Sequence, residues 1–186
     1  MFRFRLRHPR LFVATFAILA AAAVVVFLLR SGGDSRPDYP YPVQTFDDQG
    51  REHLPVGQRY DFYNSDPPTS GPHSGQPADW GVHEEPVAKE MQVHNLEHGG
   101  VAVLYDCSAG VALTDAQCRE LGVQLAVIVQ GDISAGKLVL MSPYAGMGHR
   151  IALTAWGTLD TLDAFDAGRI QAFIDHYERL FNPEGV

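Results

Sequence analysis

Residues 94–98, with the sequence HNLEH, bring together side chains that can bind a metal ion or transfer a proton. The two histidines, His94 and His98, are four residues apart, so both imidazoles lie on one face if the segment is a helical turn. In an extended strand the same rings would stand about 13 Å apart and could not share an ion. Gly99 follows directly, and glycine tolerates the positive φ at which many helices end. The pattern therefore predicts a short helix that carries a pair of metal ligands.

The glutamate between these histidines allows three roles. H-x-x-E-H matches the inverted zinc-peptidase pattern, in which both histidines bind zinc and Glu97 acts as general base. That chemistry needs a well-formed helix and a third, acidic ligand on another helix, whereas here two glycines and an apolar run follow at once. Glu97 could instead bind the ion itself or orient one of the histidines. All three roles stay open at this point.

A further histidine, His73, ends the PPTSGPH run at residues 67–73. Adjacent prolines and glycines exclude helix and central strand here, and a long irregular stretch inside a compact domain is often functional. Together with the pair at 94–98, His73 approximates a site of three histidines. Imidazole suits zinc, copper, iron and nickel, and in an exported protein copper or zinc is the natural candidate. Met147, in the run GMGH, could add a thioether, which favours cuprous copper.

The first thirty residues predict export. Residues 11–29 hold no charged side chain, and as a helix they would be about 28 Å long, close to the hydrocarbon thickness of a bilayer. Four arginines precede this stretch, so the positive-inside rule keeps the N-terminus cytoplasmic and sends the rest across. A cleaved signal peptide is the alternative, although its apolar region normally spans only about 7–15 residues. We therefore predict a single-pass membrane protein with a cytoplasmic stub at 1–10, an uncleaved anchor at 11–29, a linker at 30–42 and an exported domain at 43–186.

Charge and cysteine content agree with an exported domain. With five of the 14 basic residues in the first thirty positions, the rest of the chain has nine basic against 22 acidic residues. Such an acidic domain disfavours nucleic acid and anionic lipid as partners. Outside the cytoplasm, the lone cysteines Cys107 and Cys118 most simply form a disulfide. A thiolate metal pair is the competing interpretation, although soft-metal sites usually space their cysteines more closely.

The elements around these residues predict an α+β domain. Extended or apolar runs predict strands at residues 43–46, 58–63, 101–105, 137–141 and 151–156. A capping-box pair at Thr114 and Gln117 predicts a helix that runs towards Val129, and Asp166 can cap a final amphipathic helix. Pro86 suits the first turn of another short helix. Two or three helices mixed with strands, without βαβ alternation, predict a mixed or antiparallel sheet.

Four strings of this sequence resemble the bacterial DUF3105 domain. They are PPTSGPH at residues 67–73, WG at 80–81, VHNLEHGGV at 93–101 and LTAWG at 153–157. The likeness runs from about His53 to the C-terminus. The function of that family is unassigned, so the resemblance implies a shared fold and a shared site and no particular reaction. Because the family pattern also has a histidine at the position of His53, the resemblance implies a ligand set of His53, His73, His94 and His98.

The leading hypothesis is a membrane-anchored, extracytoplasmic domain that binds copper or zinc through clustered histidines, for metal handling in the cell envelope rather than catalysis. The expected ligands are His53, His73, His94 and His98, with Glu97 and Met147 as accessory candidates. We expect the other histidines of the domain to be exposed or hydrogen bonded; they are His83, His149 and His176. The second hypothesis is a non-catalytic module that binds an envelope protein and uses these histidines only structurally. The third is a metal-dependent hydrolase with Glu97 as its base.

Overall fold

The computed structural model describes residues 36–108 and 113–182. The chain divides into two compact units, Met1–Arg36 and Pro37–Val186, and the helices and strands of the described ranges belong to the second. The predicted anchor at residues 11–29 lies outside the described residues. Within the two described ranges, no helix is both long enough and apolar enough to cross a bilayer.

Six strands form one mixed sheet, and two further strands form a small parallel pair. The strands are β1 (Gln44–Thr45), β2 (His53–Leu54), β3 (His73–Ser74), β4 (Gly81–Val82), β5 (Val101–Tyr105), β6 (Val139–Pro143), β7 (Ile151–Ala155) and β8 (Thr158–Leu162). The helices are α1 (Lys89–Glu97), α2 (Asp115–Ser134) and α3 (Ala167–Tyr177). The large sheet has the order β1-β8-β7-β5-β6-β4, and β2 pairs with β3. Three helices and a mixed sheet confirm the predicted α+β class.

The mixed character of the large sheet arises at β5, in its centre. This strand runs parallel to β6, with α2 in the connection between them, and antiparallel to β7. β7 and β8 form a hairpin whose two-residue turn ends in Gly157, at φ +69. The strands β5, β6 and β7 are buried on both faces, which is why their sequences are nearly continuous apolar runs.

Neighbouring residues of β5 belong to two hydrophobic clusters on opposite faces of the sheet, because side chains alternate along a strand. Val103 joins the cluster to which α2 and α3 contribute. Leu104 joins the cluster that includes Leu96 of α1. Leu96 is fully buried, and burial of a leucine side chain contributes about 2 kcal/mol. The sheet therefore separates the layer of α2 and α3 from α1.

The N-cap residue of α1 makes no side-chain capping bond. Contacts with other parts of the chain hold this helix in place instead. The Asn95 side chain accepts from the Ala78 amide at 2.8 Å and donates to the Ala78 carbonyl at 3.0 Å. At the other end Gly99 has φ +83, as predicted for a helix-ending glycine. A Cβ on Gly100 would lie 2.4 Å from the Trp80 ring, so only glycine fits there. The helix is thus fixed both along its length and at its end.

The two longer helices begin where their capping residues predict. The Thr114 side chain accepts from the Gln117 amide, the Gln117 side chain closes the capping box, and α2 continues five residues beyond its predicted end. The Asp166 side chain caps α3 by accepting from the amide three residues later at 3.0 Å. Cys107 and Cys118 form the predicted disulfide, with their Cα atoms 5.7 Å apart. This bridge ties the first turn of α2 to the segment that follows β5.

Several local predictions were wrong. Residues 58–63 form no strand, and the pairing in that region occurs earlier, at β2. α1 begins at Lys89 rather than at Pro86, and β6 begins two residues later than predicted. The short strands β3 and β4 and the strand β8 were not predicted at all. Two-residue strands are too short to show a period, and β8 contains Asp160, a buried carboxylate that pairs with Arg169 of α3.

The last residues of the predicted linker lie against α3. The Pro37 carbonyl accepts a hydrogen bond from His176 Nδ1 at 2.7 Å, and the Tyr39 hydroxyl bonds to the Asp160 carboxylate. The Tyr39 ring also packs edge-on against Phe173, with centroids 5.4 Å apart. The chain is therefore part of the compact unit from Pro37 onwards.

Candidate metal site

Three histidines and one glutamate from separate parts of the chain meet at one point. They are His53, His73, His94 and Glu97, and one potential ligand atom from each lies within 4.8 Å of the others. Strand register sets His53 of β2 directly opposite His73 of β3, and His94 and Glu97 are three residues apart on α1. The structure thus brings together three of the four predicted histidine ligands, and it adds Glu97, which was predicted only as accessory.

A short parallel pairing positions His53 beside His73. The His73 amide donates to the Glu52 carbonyl at 2.9 Å, and the two imidazole centroids are 4.9 Å apart. The loop before β3 is held from its other side, because the Tyr63 hydroxyl donates to the Pro72 carbonyl at 2.8 Å. His73 itself is fully buried. Its ring therefore points inward from a loop that hydrogen bonds hold in place.

Backbone carbonyls orient two of the imidazoles. His73 Nδ1 lies 2.8 Å from the Gly71 carbonyl oxygen, and His94 Nδ1 lies 2.6 Å from the Ser74 carbonyl oxygen. A carbonyl oxygen only accepts, so each Nδ1 carries the hydrogen, and in the neutral ring each Nε2 keeps its lone pair. Metal-binding histidines typically donate their second ring nitrogen in this way.

The Nε2 lone pair of His73 faces the carboxylate of Glu97, and the ring of His53 approaches the same oxygen. Glu97 Oε2 is 3.0 Å from His73 Nε2 and 3.4 Å from His53 Nε2. Because His73 Nδ1 carries the hydrogen of the neutral ring, His73 Nε2 and the Glu97 oxygen are both acceptors, so a cation is needed between them: a proton or a metal ion. Both distances are close to the separation of about 3.3 Å between neighbouring ligands of a tetrahedral zinc ion.

Burial and charge differ strongly across the group. The His73 and Glu97 side chains are 0% and 3% exposed, whereas the His53 side chain is 47% exposed. Arg51 Nε lies 4.0 Å from Glu97 Oε1, on the solvent side. Burial lowers the pKa of His94, the hydrogen bond to the Ser74 carbonyl opposes that effect, and the neighbouring histidines lower the pKa further. His94 is therefore held in the neutral form that can bind a metal.

The remaining predicted ligands occupy other positions. His98 lies beside the group, with its Nε2 2.8 Å from His94 Nε2, and its role as a ligand stays a prediction. Met147 packs in the hydrophobic cluster that includes Leu104 and Tyr144. Three other histidines bond as expected; they are His83 to the Asp79 carbonyl, His149 to the Asp163 carboxylate and His176 to the Pro37 carbonyl.

Sequence reasoning missed two neighbours of the site. Arg51 precedes His53 by two residues, but only the fold shows that it approaches Glu97. The Trp156 ring packs edge-on against His73, with centroids 6.2 Å apart, and stacks on Phe181. Among the described residues, Trp156 Nε1 is a buried side-chain nitrogen without a hydrogen-bond partner. The string LTAWG hinted at Trp156 only through the family resemblance.

Fold and site together define an α+β domain in which a helix and a small parallel strand pair present three imidazoles and a carboxylate to one point. The sequence model described as "Protein of unknown function (DUF3105)" matches residues 54–185. The chain therefore belongs to the DUF3105 family. No curated protein and no solved structure matches it.

Proposed function

We propose that this protein binds a divalent transition metal, zinc or copper, through His53, His73, His94 and Glu97, and that it handles this metal in the cell envelope. The observation that carries the proposal is the approach of acceptor to acceptor at the centre of the site. His73 Nδ1 is used by the Gly71 carbonyl, yet His73 Nε2 lies 3.0 Å from a carboxylate oxygen. A metal ion satisfies all four groups at once.

The donor set favours a divalent ion. Three imidazoles and one carboxylate suit zinc or cupric copper, whereas cuprous copper prefers sulfur ligands. Met147, the thioether candidate, packs in the hydrophobic cluster around Leu104. The position of Glu97 among imidazole nitrogens supports a ligand role for its carboxylate over that of a general base.

Unequal exposure supports metal handling rather than a permanent structural site. His73 and His94 are buried, but His53 is about half exposed and gives the ion a route to solvent. Because the four donors are spread over up to 4.8 Å, the outer ones must move inward by about an ångström when an ion binds. His53 is the least enclosed of the histidines in this set. An exposed, movable ligand is what exchange with another carrier requires.

The envelope location rests on the sequence and on the disulfide. The apolar stretch at residues 11–29 follows four arginines, which supports an anchor with the domain outside the cytoplasm. The Cys107–Cys118 bridge suits an oxidising compartment.

The test is metal content of the full-length protein. We would extract it in detergent, purify it through a tag without histidine, offer zinc or cupric ion, and measure bound metal by mass spectrometry. We expect about one ion per chain. Glu97→Gln should lose it. Glu90→Gln should keep it, because Glu90 is also buried on α1 but its Oε1 accepts from the Tyr60 amide.

Stability without metal separates this proposal from purely structural histidines. With a chelator present, Glu97→Gln should leave the melting temperature unchanged or raise it, because the new amide can donate to His73 Nε2. If the cluster were only a structural ion pair, the same substitution would remove a buried charge partner and lower the melting temperature. A wild-type protein without bound metal, together with that lowered temperature, would favour the protein-interaction module.

A further inference from the structure

His94 has a second partner at the nitrogen that the metal would use. We infer that His98 competes with the metal ion for His94 Nε2, so that the protein carries its own release group beside the site. The inference rests on the proposed function, because it assigns the ion to His94. It gives His98 a role other than the permanent ligand that the H-x₃-H spacing predicts.

The hydrogen-bond directions follow from one fixed contact. His94 Nδ1 lies 2.6 Å from the Ser74 carbonyl oxygen, so this nitrogen donates and His94 Nε2 is left as an acceptor. His98 Nε2 lies 2.8 Å from that acceptor, which is a normal hydrogen-bond length, so His98 Nε2 is the donor. The lone pair of His94 is therefore occupied by the N–H group of His98.

The contact between the two Nε2 atoms shows that His98 is placed as a competitor of the metal and not as a second ligand. Two nitrogen ligands of a tetrahedral ion lie about 3.3 Å apart, and neither carries a hydrogen on the ligating atom. The two Nε2 atoms are closer than that, at 2.8 Å. Because His98 Nε2 carries the hydrogen of this bond, the His98 ring must move before His94 can bind an ion.

The helix end restricts this movement to the side chain. The Arg179 amide donates to the Gly99 carbonyl at 2.7 Å, and a Cβ on Gly99 would lie 2.9 Å from the Phe181 carbonyl oxygen. A Cβ on Gly100 would likewise collide with the Trp80 ring. The backbone that follows His98, at Gly99 and Gly100, is therefore tightly packed against its neighbours. The His98 ring is half-buried, so its departure from His94 requires only rotation about its own side-chain bonds.

Competition of this kind lowers apparent affinity and favours release. Metal binds only to the fraction of molecules in which His98 has left His94, so the apparent dissociation constant rises in proportion. When the ion leaves, the His98 hydrogen bond takes its place and satisfies the buried lone pair of His94. A carrier that passes its ion on would benefit from such a built-in competitor.

The test has two independent arms. Nitrogen NMR of the metal-free wild-type protein, labelled in its histidines, should show hydrogen on His94 Nδ1 and on His98 Nε2, with a scalar coupling across the N–H···N bond. Metal titration of the full-length protein in detergent should show tighter binding by His98→Ala and His98→Phe than by wild type, roughly two- to tenfold. His149→Ala is the matched control, because His149 bonds to Asp163 away from the cluster, and it should bind as wild type does.

The outcomes distinguish this inference from the proposed function. Weaker or unchanged binding by both His98 variants, with binding by wild type intact, would overturn the competition and leave the metal site standing. So would a hydrogen on His94 Nε2 in the metal-free protein. A wild-type protein that binds neither zinc nor cupric ion removes the proposed function, and with it the competition, even where the hydrogen bond itself is observed.

Discussion

Two buried polar clusters in this domain differ in how their hydrogen-bond donors and acceptors are matched. Beside α3, Asp160 accepts two hydrogen bonds from Arg169 and a third from the Tyr39 hydroxyl. In the candidate metal site, Glu97 Oε2 instead approaches His73 Nε2, which is an acceptor because His73 Nδ1 donates to the Gly71 carbonyl. Every contact in the first group joins a donor to an acceptor, whereas the contact between His73 and Glu97 is complete only when a proton or a metal ion lies between the two atoms. A buried polar cluster in which one acceptor faces another is therefore the better indication of a binding site.

The comparison has consequences for stability and for binding. The Asp160 cluster should contribute to the fold and be indifferent to metal, because its charges compensate each other. The Glu97 cluster should contribute to metal affinity and little to the stability of the metal-free protein. Substitutions in one cluster should leave the property of the other unchanged, since within the described part of the chain Glu97 and Asp160 share no ion partner.

The largest expected effect is on folding. Arg169→Ala leaves the carboxylate of Asp160, which is 2% exposed, without its charge partner, and it should lower the free energy of unfolding by about 4 kcal/mol. Lys89→Ala, which breaks a solvent-exposed pair with Asp66, should cost less than about 1 kcal/mol. Urea unfolding with a chelator measures both. Metal affinity of the folded Arg169→Ala protein should equal that of wild type, and a large loss of affinity would mean that the two clusters are coupled.

The second-largest expected effect is on metal affinity. We expect a larger loss of affinity when a buried ligand is removed than when an exposed one is removed. His73→Ala removes an enclosed, carbonyl-oriented ligand and should weaken binding about a hundredfold or more, which corresponds to at least about 2.7 kcal/mol. His53→Ala removes the exposed ligand, whose place water can take, and should weaken binding only about tenfold. Competition titration against a chelating dye measures both constants.

His73→Gln serves as a second variant if the alanine substitution impairs folding. Equal losses for His53 and His73 would contradict the idea that the exposed ligand is the exchangeable one.

The smallest effect concerns pH. Burial, followed by the hydrogen bond to Asp160, raises the pKa of Tyr39 above its ordinary value of 10.0. The folded state therefore holds this proton more tightly than the unfolded state, so stability from this group is complete below pH 10.0 and is lost as pH rises above it. Melting temperature should fall less steeply with alkaline pH in Tyr39→Phe than in wild type, both measured with a chelator. Parallel curves would show that Tyr39 does not contribute.

Prediction from sequence succeeded where the signal was local. The capping box at Thr114, the cap at Asp166 and the helix-ending Gly99 each depend on a few adjacent residues, and all three are in place. The H-x₃-H spacing indicated a helical turn, and α1 provides it. The strand β8 was missed because its buried Asp160 is explained only by Arg169, which lies on α3.

The site shows the same division. Histidine spacing and the family resemblance together named His53, His73 and His94, but neither gave Glu97 more than an accessory role. Whether Glu97 is a main ligand or an accessory one depended on where the short strand pair places the rings of His53 and His73 relative to α1. Met147 could not be placed from sequence either, because a methionine in a loop can equally fill a core, as it does here.

The sequence by itself determined which groups are available: imidazoles at a helical spacing, one more on a stiff loop, a disulfide pair and an excess of acidic residues. Those properties are carried by residue type and by separation along the chain, which act over a few residues. Only the tertiary structure decided that a carboxylate stands among the imidazoles and that His98 occupies the lone pair of His94. Hydrogen-bond direction and donor convergence depend on distances between segments remote in sequence, and those distances exist only once the chain has folded.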